Sequence, residues 1–255
     1  MTTPNDPGVV AADAVSAAFD PGRYERIDSR GASPGVGALI PAYLRDVYEW
    51  AYLNPANARI LDTSLVVSAI LLGNNRRLQR ALLAEISPGQ RVLQAAHVYG
   101  DLIPRMAAHI GPQGWLDVID VVRLQAAHCR RKLEGFANAR VRIADAGGYA
   151  GGLYDVVSCF FLLHELPDDR KRAVVDNLLA QVGPGGRAVF VDYHRPAAWH
   201  PLRGAFRYMF KLLEPFAESV WHHDVSDYAS VSRGFSWEKR TFFGGLYQCT
   251  VADRR

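Results

Sequence analysis

Residues 92–104 read VLQAAHVYGDLIP, and the fold turns on them. Val92 to Ala96 make a short apolar run of the kind that forms a strand covered on both faces. Helical spacing resumes at Leu102, so the residues between must be a tight strand-to-helix turn. In α/β chains that hold a nucleotide at this place the turn is rich in glycine, because the backbone has to approach the ligand closely. Here Gly100 is the lone glycine, and His97, Val98 and Tyr99 fill the bend. Such a turn is either a lost cofactor site or one rebuilt for different chemistry.

Outward from the turn, strand and helix patterns alternate. Strand RVLQAAHV is followed by helix LIPRMAAHI, strand GWLDVIDV by helix RLQAAHCRRKLEGF, and strand ARVRIADA by a Gly-rich loop. Then come YDVVSCFFLL, helix DDRKRAVVDNLLAQV, the turn GPGG and strand RAVFVDYH. Short apolar runs separated by amphipathic helices imply a doubly wound, Rossmann-like parallel sheet with helices on both faces. The segment KRTFFGGLYQCTVAD, with Gly244-Gly245 at its bend, predicts a terminal antiparallel hairpin. Upstream, residues 1–38 read as a mobile arm and 39–88 as a helical cap that breaks at Gly73-Asn74-Asn75 and ends at Ser87-Pro88-Gly89. Residues 89–255 form the α/β domain, with an aromatic, basic insertion at about 195–232.

A chain of 255 residues, 49% hydrophobic and 22% charged, has room for one domain with appendages. A net charge of +3 is too small to argue for nucleic acid. Three widely spaced cysteines, Cys129, Cys159 and Cys249, point to a reducing compartment and small core residues. The N-terminus lacks a basic region ahead of its apolar part, and no apolar run approaches the ~20 residues of a membrane span. The expectation is a cytoplasmic protein.

Ligands in open α/β sheets bind beyond the carboxyl ends of the strands. Asp101, Asp120, Asp145 and Asp192 fall there. Asp120 stands about 20 residues after the turn, where an acid can accept ribose hydroxyls. Asp145, closing the third strand, is placed for an adenine amino group. These positions and their neighbours Ala96, His97, Tyr99, Gly100, Val121 and Ala146 are the candidate cofactor contacts; strand ends also tolerate acids that do nothing.

Over residues 40 to 255 this arrangement resembles class I S-adenosylmethionine-dependent methyltransferases. The segment GNNRRLQRALLAEISPGQRVLQAAHVYGDLIP is similar to the corresponding part of ubiquinone and menaquinone C-methyltransferases, in which a Gly-rich turn ends in Gly-Asp, as Gly100-Asp101 do. Gln94 stands where those proteins usually have an acid, and His97-Val98 replace their glycines. Together VYGD, PAYLRDVYEWAYLNP and VDYHRPAAWHPL resemble rhodoquinone-biosynthesis methyltransferase-like proteins. That resemblance implies exchange of a ubiquinone ring methoxy group for an amino group, with S-adenosylmethionine as nitrogen source and Mn2+ or another divalent cation assisting.

Amination of a methoxy-quinone needs a base, a polarised ring oxygen and help for the leaving group. Asp192 and His194, two residues apart at the end of the fifth parallel strand, are expected to face the same way as metal ligands or as base and orienter. His164, in LLHELP, is the next candidate, unless it simply positions the helix that follows. The aromatic residues Tyr43, Tyr48, Trp50, Tyr52, Trp199, Phe206, Tyr208, Phe210 and Phe216, with His222 of the His222-His223-Asp224 cluster, are candidate contacts for a lipid quinone and its tail, although such stripes are more often core. The helix RGAFRYMFKLLEPF has the mixed basic and apolar faces of one resting on the inner membrane surface. A conventional methyltransferase acting on a phenol or quinol, and a non-catalytic binding protein of the same fold, stay open as readings. A nicotinamide oxidoreductase is disfavoured by the missing glycines and the terminal hairpin.

Overall fold

The structure, a computed structural model, describes residues 62–255. The expected arm, the first part of the expected cap and Tyr43, Tyr48, Trp50 and Tyr52 lie outside the described residues.

Seven strands make one sheet: β1 (Arg91–Ala95), β2 (Trp115–Asp120), β3 (Ala139–Ile143), β4 (Tyr154–Phe160), β5 (Val182–Tyr193), β6 (Phe235–Phe242) and β7 (Tyr247–Arg254). Their spatial order is β3-β2-β1-β4-β5-β7-β6. The first five run parallel, and β7 lies antiparallel between β5 and β6. Val92, Leu93, Ala95, Val156 and Val157 are buried because helices cover both faces of the central strands. Those helices are α1 (Ser64–Ile70), α2 (Asn75–Leu83), α3 (Leu102–Ile110), α4 (Arg123–Lys132) and α5 (Asp168–Ala180). The doubly wound sheet and its terminal hairpin are as the sequence pattern implies. Strand order reverses between β1 and β4, which opens a crevice at their carboxyl ends.

The break expected at Gly73-Asn74-Asn75 separates α1 from α2. Leu72 and Gly73 take left-handed φ values of 50° and 77°, and the Asn74 amide donates to the carbonyls of Leu71 and Leu72 freed by the turn. Beyond it, α2 places Leu78 and Leu82 wholly inside the core. The GPGG stretch, expected as a turn, lies inside β5 where its register against β4 shifts, and its glycines allow the close approach: a Cβ on Gly186 would lie 2.7 Å from the Asp155 carbonyl oxygen. All three cysteines are buried and unbridged. Burial pushes the thiol of Cys129 up to about 12 and that of Cys249 up to about 11.

Between β5 and β6 the insertion forms α6 (Arg203–Leu213) and short 3-10 turns at Ala217–Trp221 and Val225–Tyr228. Its inner side is aromatic: Phe206 and Phe210 are buried, with ring centroids 6.0 and 5.0 Å from that of Tyr193. A charged group tethers it. The Lys171 side chain of α5 is fully buried, and its ammonium donates to the carbonyls of Leu166 (2.7 Å) and Phe216 (2.9 Å) and to Asp168 (3.0 Å). Three acceptors match its three donors. Lys171→Met leaves the buried Leu166 carbonyl and the half-buried Phe216 carbonyl without that partner, a cost of about 2 kcal/mol. Cleavage within residues 195–232 should quicken under limited proteolysis while urea unfolding of the sheet keeps its cooperativity. Unchanged cleavage would show that Phe206 and Phe210 hold the insertion unaided.

Candidate functional site

The crevice encloses about 670 Å³ of empty space, part of it open to solvent. Ala96, His97, Ile119, Asp120, Val121 and Val122 line one side, with Ala144, Asp145 and Ala146 beyond them. Phe161, Leu162, Glu165 and Leu166, the segment after β4, close the other. Ala96 and Phe161, at the ends of β1 and β4, both take left-handed φ, 65° and 52°. For residues with a Cβ this costs about 1 kcal/mol each and needs support from neighbours. Gln94 gives it to Ala96: its amide donates to the carbonyls of Ala95 (2.7 Å) and Ala96 (3.1 Å), while Ser158 donates to its oxygen at 2.5 Å. An acid at position 94 has no hydrogen to give those carbonyls.

Side chains hold the rest of the turn. The Asp120 carboxylate accepts the backbone N–H of His97 at 2.8 Å and of Val122 at 2.7 Å. Burial pushes its pKa up to about 6 and those two amides restrain the rise. Burial, reinforced by Lys132, pushes His97 down to about 3, so its ring is neutral at neutral pH. Its Nδ1 lies 3.0 Å from the Gln125 carbonyl oxygen, which puts the ring hydrogen on Nδ1, and the Gln125 amide donates to the Tyr99 hydroxyl at 2.8 Å. The Lys132 ammonium donates to the Gly100 carbonyl at 2.7 Å and pairs with Asp62, which accepts the Gly100 N–H at 3.0 Å.

The structure therefore divides the expected cofactor contacts. Ala96, His97, Asp120, Val121, Asp145 and Ala146 line the crevice. Tyr99, Gly100 and Asp101 do not: Tyr99 turns to Gln125, Gly100 to Asp62 and Lys132, and Asp101 to Gln79 and Arg76. Asp145 also pairs with Arg170. Glu165 lines the crevice beside His164, as its place at the end of the fourth strand implies, whereas Gln125, Phe161 and Leu162 escaped the sequence reading. Gln125 had a faint signal, a polar residue in the first turn of the helix after the β2 acid; Phe161 and Leu162 had none, because they read as more strand.

The expected pairing of Asp192 with His194 is not formed. Asp192, 1% exposed, accepts the backbone N–H groups of Leu163 (2.9 Å), His164 (3.3 Å) and Tyr193 (2.7 Å), and its Oδ1 lies 2.9 Å from Nδ1 of His164. Burial alone lowers the His164 pKa, but the Asp192 carboxylate outweighs it and raises the imidazole to about 9. Its ring packs edge-on against Tyr193 and Phe161, at 4.9 and 5.8 Å between centroids. His194 instead gives its Nδ1 hydrogen to the Gly245 carbonyl at 2.8 Å and lies near Lys239. Burial and that ammonium lower its pKa. Trp199 is 75% exposed and His222 lies on the surface.

Manganese favours several carboxylate, imidazole and water ligands together. Among the described residues no three His, Cys, Asp or Glu side chains converge to hold an ion. Asp192 is already surrounded by four donors, and an ammonium faces Nε2 of His194. These residues do not fit the expected metal pair.

Residues 71–236 match the model of the ubiE/COQ5 methyltransferase family. Similar proteins include the ubiquinone/menaquinone biosynthesis C-methyltransferases UbiE of Cupriavidus metallidurans, 28% identical over 163 residues (61% of this chain, 65% of that protein), and of Ectopseudomonas mendocina, 28% over 173 residues (64% and 66%). The chain thus spans about 65% of the length of the first of these relatives. Among solved structures, an O-methyltransferase family protein from Burkholderia thailandensis superposes with a TM-score of 0.60 at 15% identity, covering 87% of this chain and 67% of that one. A SAM dependent methyltransferase from Aquifex aeolicus gives 0.52 at 15%, covering 79% and 99%. At that identity both likenesses are of fold.

The Asp192–His164 pair has a pH signature. Its folded-state pKa is raised above the ordinary 6.5, so the stability it contributes is full below 6.5 and is lost as pH rises through about 9. Asp192→Asn is expected to cost about 3 kcal/mol at neutral pH and to flatten that fall. Urea midpoints measured across the interval check this; an unchanged slope in the variant means that the loss comes from other groups.

Proposed function

This chain belongs to the ubiE/COQ5 methyltransferase family, and on that footing we propose that it is an S-adenosylmethionine-dependent transferase acting on the ring of a lipid quinone. The observation that carries this reading is the crevice at the strand ends. An apolar slot of Ile119, Val121, Val122 and Ala146, flanked by Asp120 and Asp145, suits a flat base and a ribose diol. When bound, S-adenosylmethionine supplies either an electrophilic methyl group or, in the amination reading, its amino nitrogen.

The finer proposal is amination, giving rhodoquinone: the nitrogen bonds to the ring carbon as the methoxy group leaves with a proton as methanol, and the nitrogen's bond to the donor's α-carbon then breaks with loss of a β-proton, leaving an amino group on the ring and an unsaturated acid on the donor. What supports it is the first turn. His97 and Gln125, the latter braced by Tyr99, stand on the crevice wall where a glycine-rich turn leaves the approach open, so the amino-acid arm of a bound cofactor has to lie differently from that of a methyl donor. In the amination reading His164, kept protonated by Asp192, is the acid that moves a proton to a ring oxygen or to the departing methoxide. No step is assigned to manganese, for which the described residues offer no ligand set. The outer face of α6, with Tyr208 and Leu212 beside Arg207 and Lys211, suits the anionic cytoplasmic surface of the inner membrane, where a tailed quinone resides.

Mass spectrometry of a short-tailed ubiquinone and its quinol, incubated with the protein and S-adenosylmethionine with and without manganese, tests the reading. A product lighter by the difference between methoxy and amino is expected. A product heavier by one methyl would establish the C-methylation that the names of the relatives carry. No product and no S-adenosylhomocysteine binding would leave a non-catalytic protein of this fold. Asp120→Ala should weaken S-adenosylhomocysteine binding at least tenfold in calorimetry, because it removes the acceptor for the diol and for two turn amides. His164→Gln should spare that binding and abolish turnover.

A further inference from the structure

Beside the cofactor crevice, rings from β7, α6 and the segment after β4 meet around Tyr193. Tyr247 stacks on it at 5.7 Å, Phe210 and Phe206 approach from α6 at 5.0 and 6.0 Å, and His164 lies at 4.9 Å. Phe161 touches Tyr193, Tyr247 and His164, and Trp221 continues the cluster from Phe210 at 5.1 Å. Within it two donors are buried without a hydrogen-bond partner among the described residues: the Tyr247 hydroxyl and the Trp221 indole N–H. Tyr247 is 0% exposed and Trp221 7%. A native interior seldom leaves such groups unmatched, because nothing replaces the water they gave up.

The geometry points to this cluster as the acceptor-substrate chamber in its closed form, taking a flat apolar ring that bears acceptor oxygens, such as a quinone head group. This rests on the reading of the protein as a quinone-modifying transferase and adds the place where the ring binds. The aromatic walls match the faces of the ring; Tyr247 and Trp221 donate to its oxygens. A ring bearing donors alone leaves the Trp221 N–H unmatched. His164 borders the chamber, and Phe161 belongs both to the chamber and to the wall of the crevice, so the two compartments share a side. The gate is α6. It reaches the cluster through Phe206 and Phe210, while Tyr208 and Leu212 on its far face are 69% and 67% exposed. An outward shift of α6 opens the chamber without breaking a hydrogen bond of the sheet.

The test is equilibrium binding of tailless ubiquinone to the full chain, with S-adenosylhomocysteine binding and thermal unfolding measured alongside. Tyr247→Phe and Trp221→Phe should each weaken the quinone about tenfold, leave S-adenosylhomocysteine affinity unchanged, and keep or raise the melting temperature of the free protein. That last readout separates a ligand-binding role from a structural one, since each variant removes an unmatched polar group. If wild type binds the quinone and both variants bind it equally well, the chamber is elsewhere. If wild type binds no quinone at all, the quinone-modifying reading itself fails.

Discussion

A carboxylate sealed inside a protein must be answered by donors on every side, and the way Asp192 is answered organises the functional end of this fold. Its partners are the N–H groups of Leu163, His164 and Tyr193 and the ring of His164. The first two draw the segment after β4 against the end of β5. That bend places Phe161 in its left-handed conformation, sets Glu165 and Leu166 along the crevice wall and fixes the imidazole with one nitrogen committed. Tyr193, anchored by the same group, then becomes the surface on which the insertion packs. One buried charge thus links sheet, crevice and insertion, which is a demanding arrangement: altering either partner leaves the other charged and unmatched.

The turn after β1 solves a different problem. A glycine-rich turn is conformationally free and is held mainly by what binds to it. This one is held from within, by Gln94 and Ser158 below, by Asp120 at the side, and by Gln125, Lys132 and Asp62 from α4 and the segment preceding α1. The result is a preformed shape, whose ordering cost is met on folding rather than on binding.

Much of the fold is legible in the sequence because burial on both faces leaves an unmistakable trace: apolar runs for the central strands, helical spacing between them, and glycines at the hairpin. The strand-end acids Asp120 and Asp145 were equally legible, since strand position alone brings them to the crevice. The Asp192–His194 pairing misled because alternation of side chains holds only inside a strand. His194 lies one residue past the end of β5, where its backbone N–H follows the hairpin to Leu246 and its ring follows to Gly245. Phe206 and Phe210 of the ring cluster were legible as aromatic candidates, but their meeting with Tyr193 and Tyr247 was hidden for another reason. Tyr193 and Tyr247 are 54 residues apart by number yet are paired neighbours in the β5–β7 register, and the sequence gives no hint of the order in which β6 and β7 join the sheet. Asp62 and Lys132 meet through the same kind of long-range closure, 70 residues apart.

The three buried thiols have a practical bearing. Cys129 sits on α4, Cys159 on β4 and Cys249 on β7, and the medium around each suppresses the thiolate that alkylating reagents attack. Each sulfur is therefore silent until its own part of the molecule opens. The rates at which they become alkylated, separated by peptide mass, would time the loosening of the nucleotide half, the sheet centre and the hairpin independently. The chain carries its own clocks for local motion, with no label added.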